Sequence, residues 1–149
     1  MAVEHAARRR WMSVLAQATG TEIEQAWEAL PERPDYRVVR KPEVGLVMVR
    51  ARAGGSGAPF NLGEMTVTRC TIDLPSGMAG HGYVAGRDVR HAELAAVFDA
   101  LLQDPLLTAR LEEAVIGPLE ASQGERRRQL AVRSAPTRVE FFTLVRGDD

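Results

Sequence analysis

Apolar positions in the first thirty residues recur at helical spacing. Trp11, Leu15 and Ala18 fall on one face at steps of four and three, with Met12 beside them, and predict an amphipathic helix over residues 8–17. Thr19-Gly20-Thr21 interrupts it. Thr21 followed three residues later by Glu24 has the form of a capping box, so a second helix carrying Ile23, Ala26, Trp27 and Leu30 is expected until Pro31 and Pro34 stop it. From Tyr36 the period changes to two. Residues 36–40 and 44–52 are short β-branched runs, and Lys41-Pro42-Glu43 between them reads as a hairpin connection. Beyond the flexible turn Gly54-Gly55-Ser56-Gly57-Ala58-Pro59, Met65, Val67 and Arg69 alternate with Thr66, Thr68 and Cys70 as one long strand that runs to Leu74. Pro75-Ser76-Gly77 turns the chain, and residues 81–85 form a further short strand.

Helical spacing returns at Asp88. This residue is a good N-cap for a helix to about Gln103, whose apolar face (Leu94, Val97, Phe98, Leu101 and Leu102 among alanines) is broad enough to be largely buried. Asp104 followed by Pro105 opens another helix, with Leu107, Leu111, Ala114 and Val115 inward, which Gly117-Pro118 is expected to end. A polar helix around residues 125–128 follows. Residues 138–146 then alternate as a last strand, with apolar side chains on both faces. Helices, a strand block, more helices and one returning strand make an α+β pattern. The connections between strands are too short for parallel crossovers, so we expect an antiparallel sheet of four or five strands with helices packed on one side, in a single domain over residues 1–149.

Composition narrows the possible chemistry. Hydrophobic residues are 45% and aromatics only 5%, so aliphatic and alanine packing builds the core of an ordinary globular chain. No apolar run approaches the ~20 residues of a bilayer span, and no apolar stretch follows Arg8-Arg9-Arg10, so a cytoplasmic protein without membrane contact is expected. A formal net charge of -1 gives the molecule no overall attraction to nucleic acid. Among its 19 basic residues all but Lys41 are arginine, the better bidentate partner for carboxylate or phosphate. One cysteine, Cys70, permits neither an internal disulfide nor a four-cysteine metal site.

Three places could contact a ligand or a partner. In Gly80-His81-Gly82-Tyr83-Val84-Ala85-Gly86-Arg87-Asp88, small residues precede a helix start whose backbone N–H groups could face an anion, with His81 and Arg87 as the side chains in reach. The spacing is GxGxxxG without a βαβ unit, so strand and turn glycines are the competing explanation and a dinucleotide site is not indicated. Arg50-x-Arg52-x-Gly54-Gly55-x-Gly57 sets arginine beside exposed amides that could bind phosphate, against the simpler reading of hairpin glycines. Arg69 on the long strand is the third. His5, His81 and His91 lack the spacing of a helical metal pair, Ser76 is not in a GxSxG elbow, and Lys41 is not in a P-loop. No complete catalytic set emerges, so catalytic residues, a metal and a cofactor on this chain are not expected. The arginine runs 8–10 and 126–128 read as solvated helix faces or as contacts for an acidic partner.

Several strings are more particular: RWMSVLA from Arg10, GEMTVTR from Gly63, GHGYVAGRD from Gly80, HAE from His91 and FFTLVRGD from Phe141. In this order, over nearly the full length, the chain resembles the PhnG family, the G subunit of the bacterial carbon-phosphorus lyase core complex. The resemblance implies a cytoplasmic subunit that works with the H, I, J and L subunits on organic phosphonates. With H, I and L it supports displacement of adenine from ATP by methylphosphonate, giving α-D-ribose 1-methylphosphonate 5-triphosphate. It further implies that nucleosidase-like chemistry belongs to the I subunit and the iron-sulfur cluster to the J subunit. The family pattern supplies no catalytic residue to carry over. The expected part is therefore accessory, with an exposed apolar patch for partners that involves Trp11, Trp27 and the strand ending at Val145. The opposing reading is a stand-alone phosphate- or nucleotide-binding enzyme or module built on the loop of Gly54, Gly55 and Gly57 with His81 and Arg87.

Overall fold

A computed structural model describes residues 2–134, and the expected strand over 138–146 lies outside them. Helices α1 (Ala2–Gln17) and α2 (Gly20–Glu28) precede a three-stranded antiparallel sheet of β1 (Arg37–Arg52), β2 (Pro59–Asp73) and β3 (Ala79–Ala85), in the order β1-β2-β3. Helices α3 (Val89–Leu102), α4 (Pro105–Leu111) and α5 (Gly117–Ser134) complete the described chain. The α+β class is as the periodicity indicates. The sheet has three strands among the described residues instead of four or five.

The difference lies at Lys41-Pro42-Glu43. These residues do not reverse the chain but run on within β1, whose pairing with β2 shifts register between Val38 and Arg40 and again between Arg40 and Glu43. Proline has no N–H to give a ladder, so it is tolerated on an edge strand at such an irregularity. Two expected strands are therefore one. A similar correction applies at Gly117-Pro118, which opens α5 instead of closing a helix. A π-helical turn over Glu112–Ile116 joins α4 to α5, and the Gly117 N–H reaches back five residues to the Glu112 carbonyl. The widened turn loosens the backbone just where proline would clash in a regular helix. The capping box also sits two residues earlier than expected, with Thr19 as N-cap and Glu22 as its reciprocal partner.

Helix α3 is the centre of the fold. Asp88 caps it by accepting from the His91 N–H, and its residues are apolar nearly all round because it is enclosed between the sheet and the outer helices. Phe98, Leu94, Val97 and Leu102 are buried there with Leu15, Ile23 and Trp27 from α1 and α2 and with Cys70 and Ile72 from β2. Its contact with β3 is backbone against backbone. A Cβ on Gly80 would lie 1.9 Å from the Ala96 carbonyl oxygen, and one on Gly82 would lie 1.9 Å from that of Ala92. Alternate glycines in β3 thus let the helix descend onto the strand.

Candidate interaction site

The expected site residues fall in three separate places. Arg69 and His81 share the sheet face opposite α3, where the register sets Arg69 against Tyr83 and Thr71 against His81. Arg69 lies 3.7 Å from Glu43, and the Thr71 hydroxyl lies 3.1 Å from His81 Nδ1. Arg69, His81 and Tyr83 are exposed there. Arg52, Gly54, Gly55 and Gly57 form the far turn of the β1–β2 hairpin. At ~3.3 Å per residue, the run of β2 from Thr71 to Pro59 puts that turn roughly 35–40 Å from His81. A single site made of both is excluded by this distance. Gly54 and Gly55 have φ of 63° and 80°, and a Cβ on Gly57 would lie 2.7 Å from the Ala53 carbonyl, so the turn itself demands these glycines. Arg52 Nη1 donates weakly to the Gly57 carbonyl at 3.4 Å.

The third place is the junction of β3 and α3. Gly86 turns the chain with φ of 89°, its N–H donating to Thr66 and its carbonyl accepting from the Thr68 hydroxyl. Arg87 is exposed. Asp88 spends Oδ1 on the α3 cap, while Oδ2 sits 2.6 Å from where a Cβ on Gly20 would be, so α2 starts directly against this carboxylate. Beside it Arg90 holds Glu24 with two hydrogen bonds of 3.0 and 3.1 Å and lies over the Trp27 ring at 6.0 Å. The Tyr36 hydroxyl donates to Glu93, and burial followed by that carboxylate pushes the phenol up. Through these bonds the cluster ties α2 and Tyr36, just before β1, to α3.

Sequence reasoning missed Asp99, which fixes the backbone under His81. Fully buried in α3, it accepts from Arg8 Nε and Nη2 at 3.1 and 2.8 Å, from Trp11 Nε1 at 2.9 Å and from the His81 backbone N–H at 2.9 Å. Its only signal in the sequence is one acidic residue within an otherwise apolar helical run. The bond to His81 also occupies an outward N–H of the edge strand β3. Alongside that edge, Met12, Leu15 and Ala16 of α1 face His81 and Tyr83 across an apolar cleft of about 240 Å³. The arginine runs are largely engaged within the chain: Arg8 with Asp99, Arg10 with Glu112 and Glu120, and Arg126 with Glu22.

An exposed apolar surface exists, but not where expected. Trp11 and Trp27 are buried in the core, because the Trp11 indole N–H needs Asp99 and Trp27 packs edge-on against Tyr36; Val145 lies outside the described residues. The exposed apolar side chains are instead concentrated on the outer half of the β1–β2 hairpin, at Val44, Leu46, Met48, Phe60, Leu62 and Met65. A second, smaller group, Leu130 and Val132, lies on the last turns of α5, where residues 127–134 are all exposed.

Residues 6–147 match the family model described as phosphonate metabolism protein PhnG. The chain is also 48% identical over 147 residues to the α-D-ribose 1-methylphosphonate 5-triphosphate synthase subunit PhnG of Rhizobium meliloti (strain 1021), a match covering 97% of this chain and 92% of that protein. With residues 6–147 inside the family model and 97% of the chain inside the second match, the chain belongs to the PhnG family of phosphonate metabolism proteins.

Proposed function

We propose that this chain is an accessory subunit of α-D-ribose 1-methylphosphonate 5-triphosphate synthase, acting in the cytosol with the H, I, J and L subunits of the carbon-phosphorus lyase system. The assembly takes ATP and methylphosphonate, forms the bond from a phosphonate oxygen to ribose C1′ and releases adenine. This chain supplies docking surface and order to its partners' active site. It binds no cofactor of its own, and iron-sulfur chemistry resides on a partner.

One observation carries the reading beyond the family match. The sheet face that α3 covers continues outward along the hairpin with its apolar side chains bare, Leu46 being 63% and Met48 51% exposed. A soluble monomer gains nothing from leaving half of its core-side sheet face in water, whereas a subunit covers it on assembly. Co-expression with a tagged I-type subunit tests this. The chain is expected to co-purify in fixed stoichiometry and to shift the partner's product from plain ribose triphosphate to the phosphonate adduct. A chain that stays monomeric in the presence of every companion subunit refutes the reading.

A further inference from the structure

The hairpin face has a definite geometry and a definite charge. In antiparallel pairs, residues directly opposite each other project to the same side of the sheet. Val44 is opposite Thr68, Leu46 opposite Thr66 and Met48 opposite Glu64, and Thr68 belongs to the same alternating set as Cys70 and Ile72, which are buried against α3. Val44, Leu46 and Met48 are therefore the outward continuation of the core face, exposed by 41, 63 and 51% because the helical layer ends before reaching them. Along the same segment the charge is one-sided. Residues 37–73 carry Arg37, Arg40, Lys41, Arg50, Arg52 and Arg69 against Glu43, Glu64 and Asp73, although the whole chain is at -1. Arg37 is matched by Asp73 and Arg69 by Glu43. Among the described residues this leaves Arg40, Lys41, Arg50 and Arg52 without an ionic partner, against Glu64 as the one such carboxylate of the hairpin; Arg50 and Arg52 continue the alternation of Leu46 and Met48 on their side of the sheet, whereas Arg40, opposite Thr71, lies on the other.

We infer that this face, centred on Leu46 and Met48, docks into an apolar groove rimmed by carboxylates on another subunit of the assembly; the inference rests on the subunit reading above and specifies its surface and its partner's chemistry. An apolar strip of this kind needs an apolar cover, and the unmatched Arg50 and Arg52 at its outer end select an acidic rim and repel a basic one. A second copy of the same hairpin would bring the same cations together, which argues against pairing of two arms. The closed body of the protein holds the hairpin at its root, where Arg37 and Asp73 pair, so the arm is presented as a preformed ribbon.

The test measures association of the purified full chain with the co-purified companion subunits, at low and high salt, using Leu46→Asp, Met48→Asp, the triple Lys41→Glu/Arg50→Glu/Arg52→Glu, and Leu106→Asp as a control on the remote, exposed α4. All variants are first checked for an unchanged thermal midpoint. Leu46→Asp and Met48→Asp are each expected to weaken association at least about tenfold and Leu106→Asp to leave it unchanged. The triple variant is expected to weaken it and flatten its salt dependence. Wild-type affinity in Leu46→Asp and Met48→Asp overturns the proposal, and an unaltered salt dependence in the triple variant overturns the acidic rim. A dimer of the lone chain that Leu46→Asp abolishes identifies a second copy as the occupant and overturns it. So does binding of a hydrophobic dye that appears only when the chain is truncated after Ser134, since residues 135–149 then cover the face. Wild type that joins while the arm variants join equally well removes this proposal alone; wild type that never joins removes the subunit reading as well.

Discussion

Replacing Asp99 is the sharpest perturbation of the fold beneath His81. The carboxylate is fully buried and receives four hydrogen bonds, two from Arg8, one from the Trp11 indole and one from the His81 backbone. Asp99→Ala strips all four donors at once. Removing one partner of a buried pair costs about 3–5 kcal/mol. The Arg8 side chain is 32% exposed and recovers water when freed, which places the loss near the lower end, at about 3 kcal/mol. For a chain of this size, at ~2–4 °C per kcal/mol, the thermal midpoint falls by roughly 6–12 °C. Asp99→Asn keeps the volume and separates charge from space-filling. One amide oxygen can serve Trp11 and Arg8 Nε, but the NH2 group then points two donors at the His81 N–H and at Arg8 Nη2. Both variants are therefore expected to lose comparable stability in urea or thermal unfolding. An Asn variant within about 1 kcal/mol of wild type would refute the reasoning, because the acceptor-only character of the carboxylate would then be dispensable.

Other perturbations read different parts of the fold. Gly82→Ala places a Cβ 1.9 Å from the Ala92 carbonyl and is expected to unfold the protein or cost at least about 3 kcal/mol, whereas Gly45→Ala, with nothing within 4 Å, is expected to be neutral within ~0.5 kcal/mol; circular dichroism melts compare them. Burial, helped by the nearby Glu93 carboxylate, pushes the Cys70 thiol up to about 11 from an ordinary 9.0, so the native protein should resist alkylation at pH 8 and react fully once unfolded. At Glu22, burial pushes the carboxyl up but is outweighed by hydrogen bonds from Arg126, Ser122 and the Thr19 N–H, which hold it down to about 2 from 4.5. Its folded value is below its unfolded one, so its stabilisation is full above pH 4.5 and disappears as pH falls towards 2. Glu22→Gln is thus expected to cost about 2 kcal/mol at pH 7 and to converge with wild type in the acid, as read from urea midpoints across pH.

Local signals were legible and long-range ones were not. Asp88 and Asp104 mark helix starts because an acceptor at the N-cap is recognised by its own backbone neighbours, and both caps are present in the structure. The hairpin misreading at Lys41-Pro42-Glu43 arose because proline ends most strands, and only pairing with β2 shows that an irregular edge absorbs it here. Gly80 and Gly82 stood out as a glycine pattern, but their meaning depends on Ala92 and Ala96, which a reading along the chain cannot bring opposite them. Tryptophans were expected at the surface patch because large apolar residues dominate interfaces. Trp11 is instead committed to Asp99, whereas the bare face consists of aliphatic residues in a strand whose outward direction is set by register with β2. The co-location of Arg69 and His81 on one sheet face, and the separation of both from Arg52 and the Gly54 turn, likewise follow from register alone.

Turnover by the separated and the assembled protein tests the accessory role most directly. ATP and methylphosphonate are incubated with this chain alone, with the companion subunits alone, and with the two combined, while released adenine and the ribose 1-phosphonate product are followed by chromatography and phosphorus NMR. Formation of the phosphonate adduct only in the combined sample, and no adenine release by the lone chain, is the expected result. Adenine release or ATP hydrolysis by the lone chain, abolished by His81→Ala or Arg87→Ala, would contradict it.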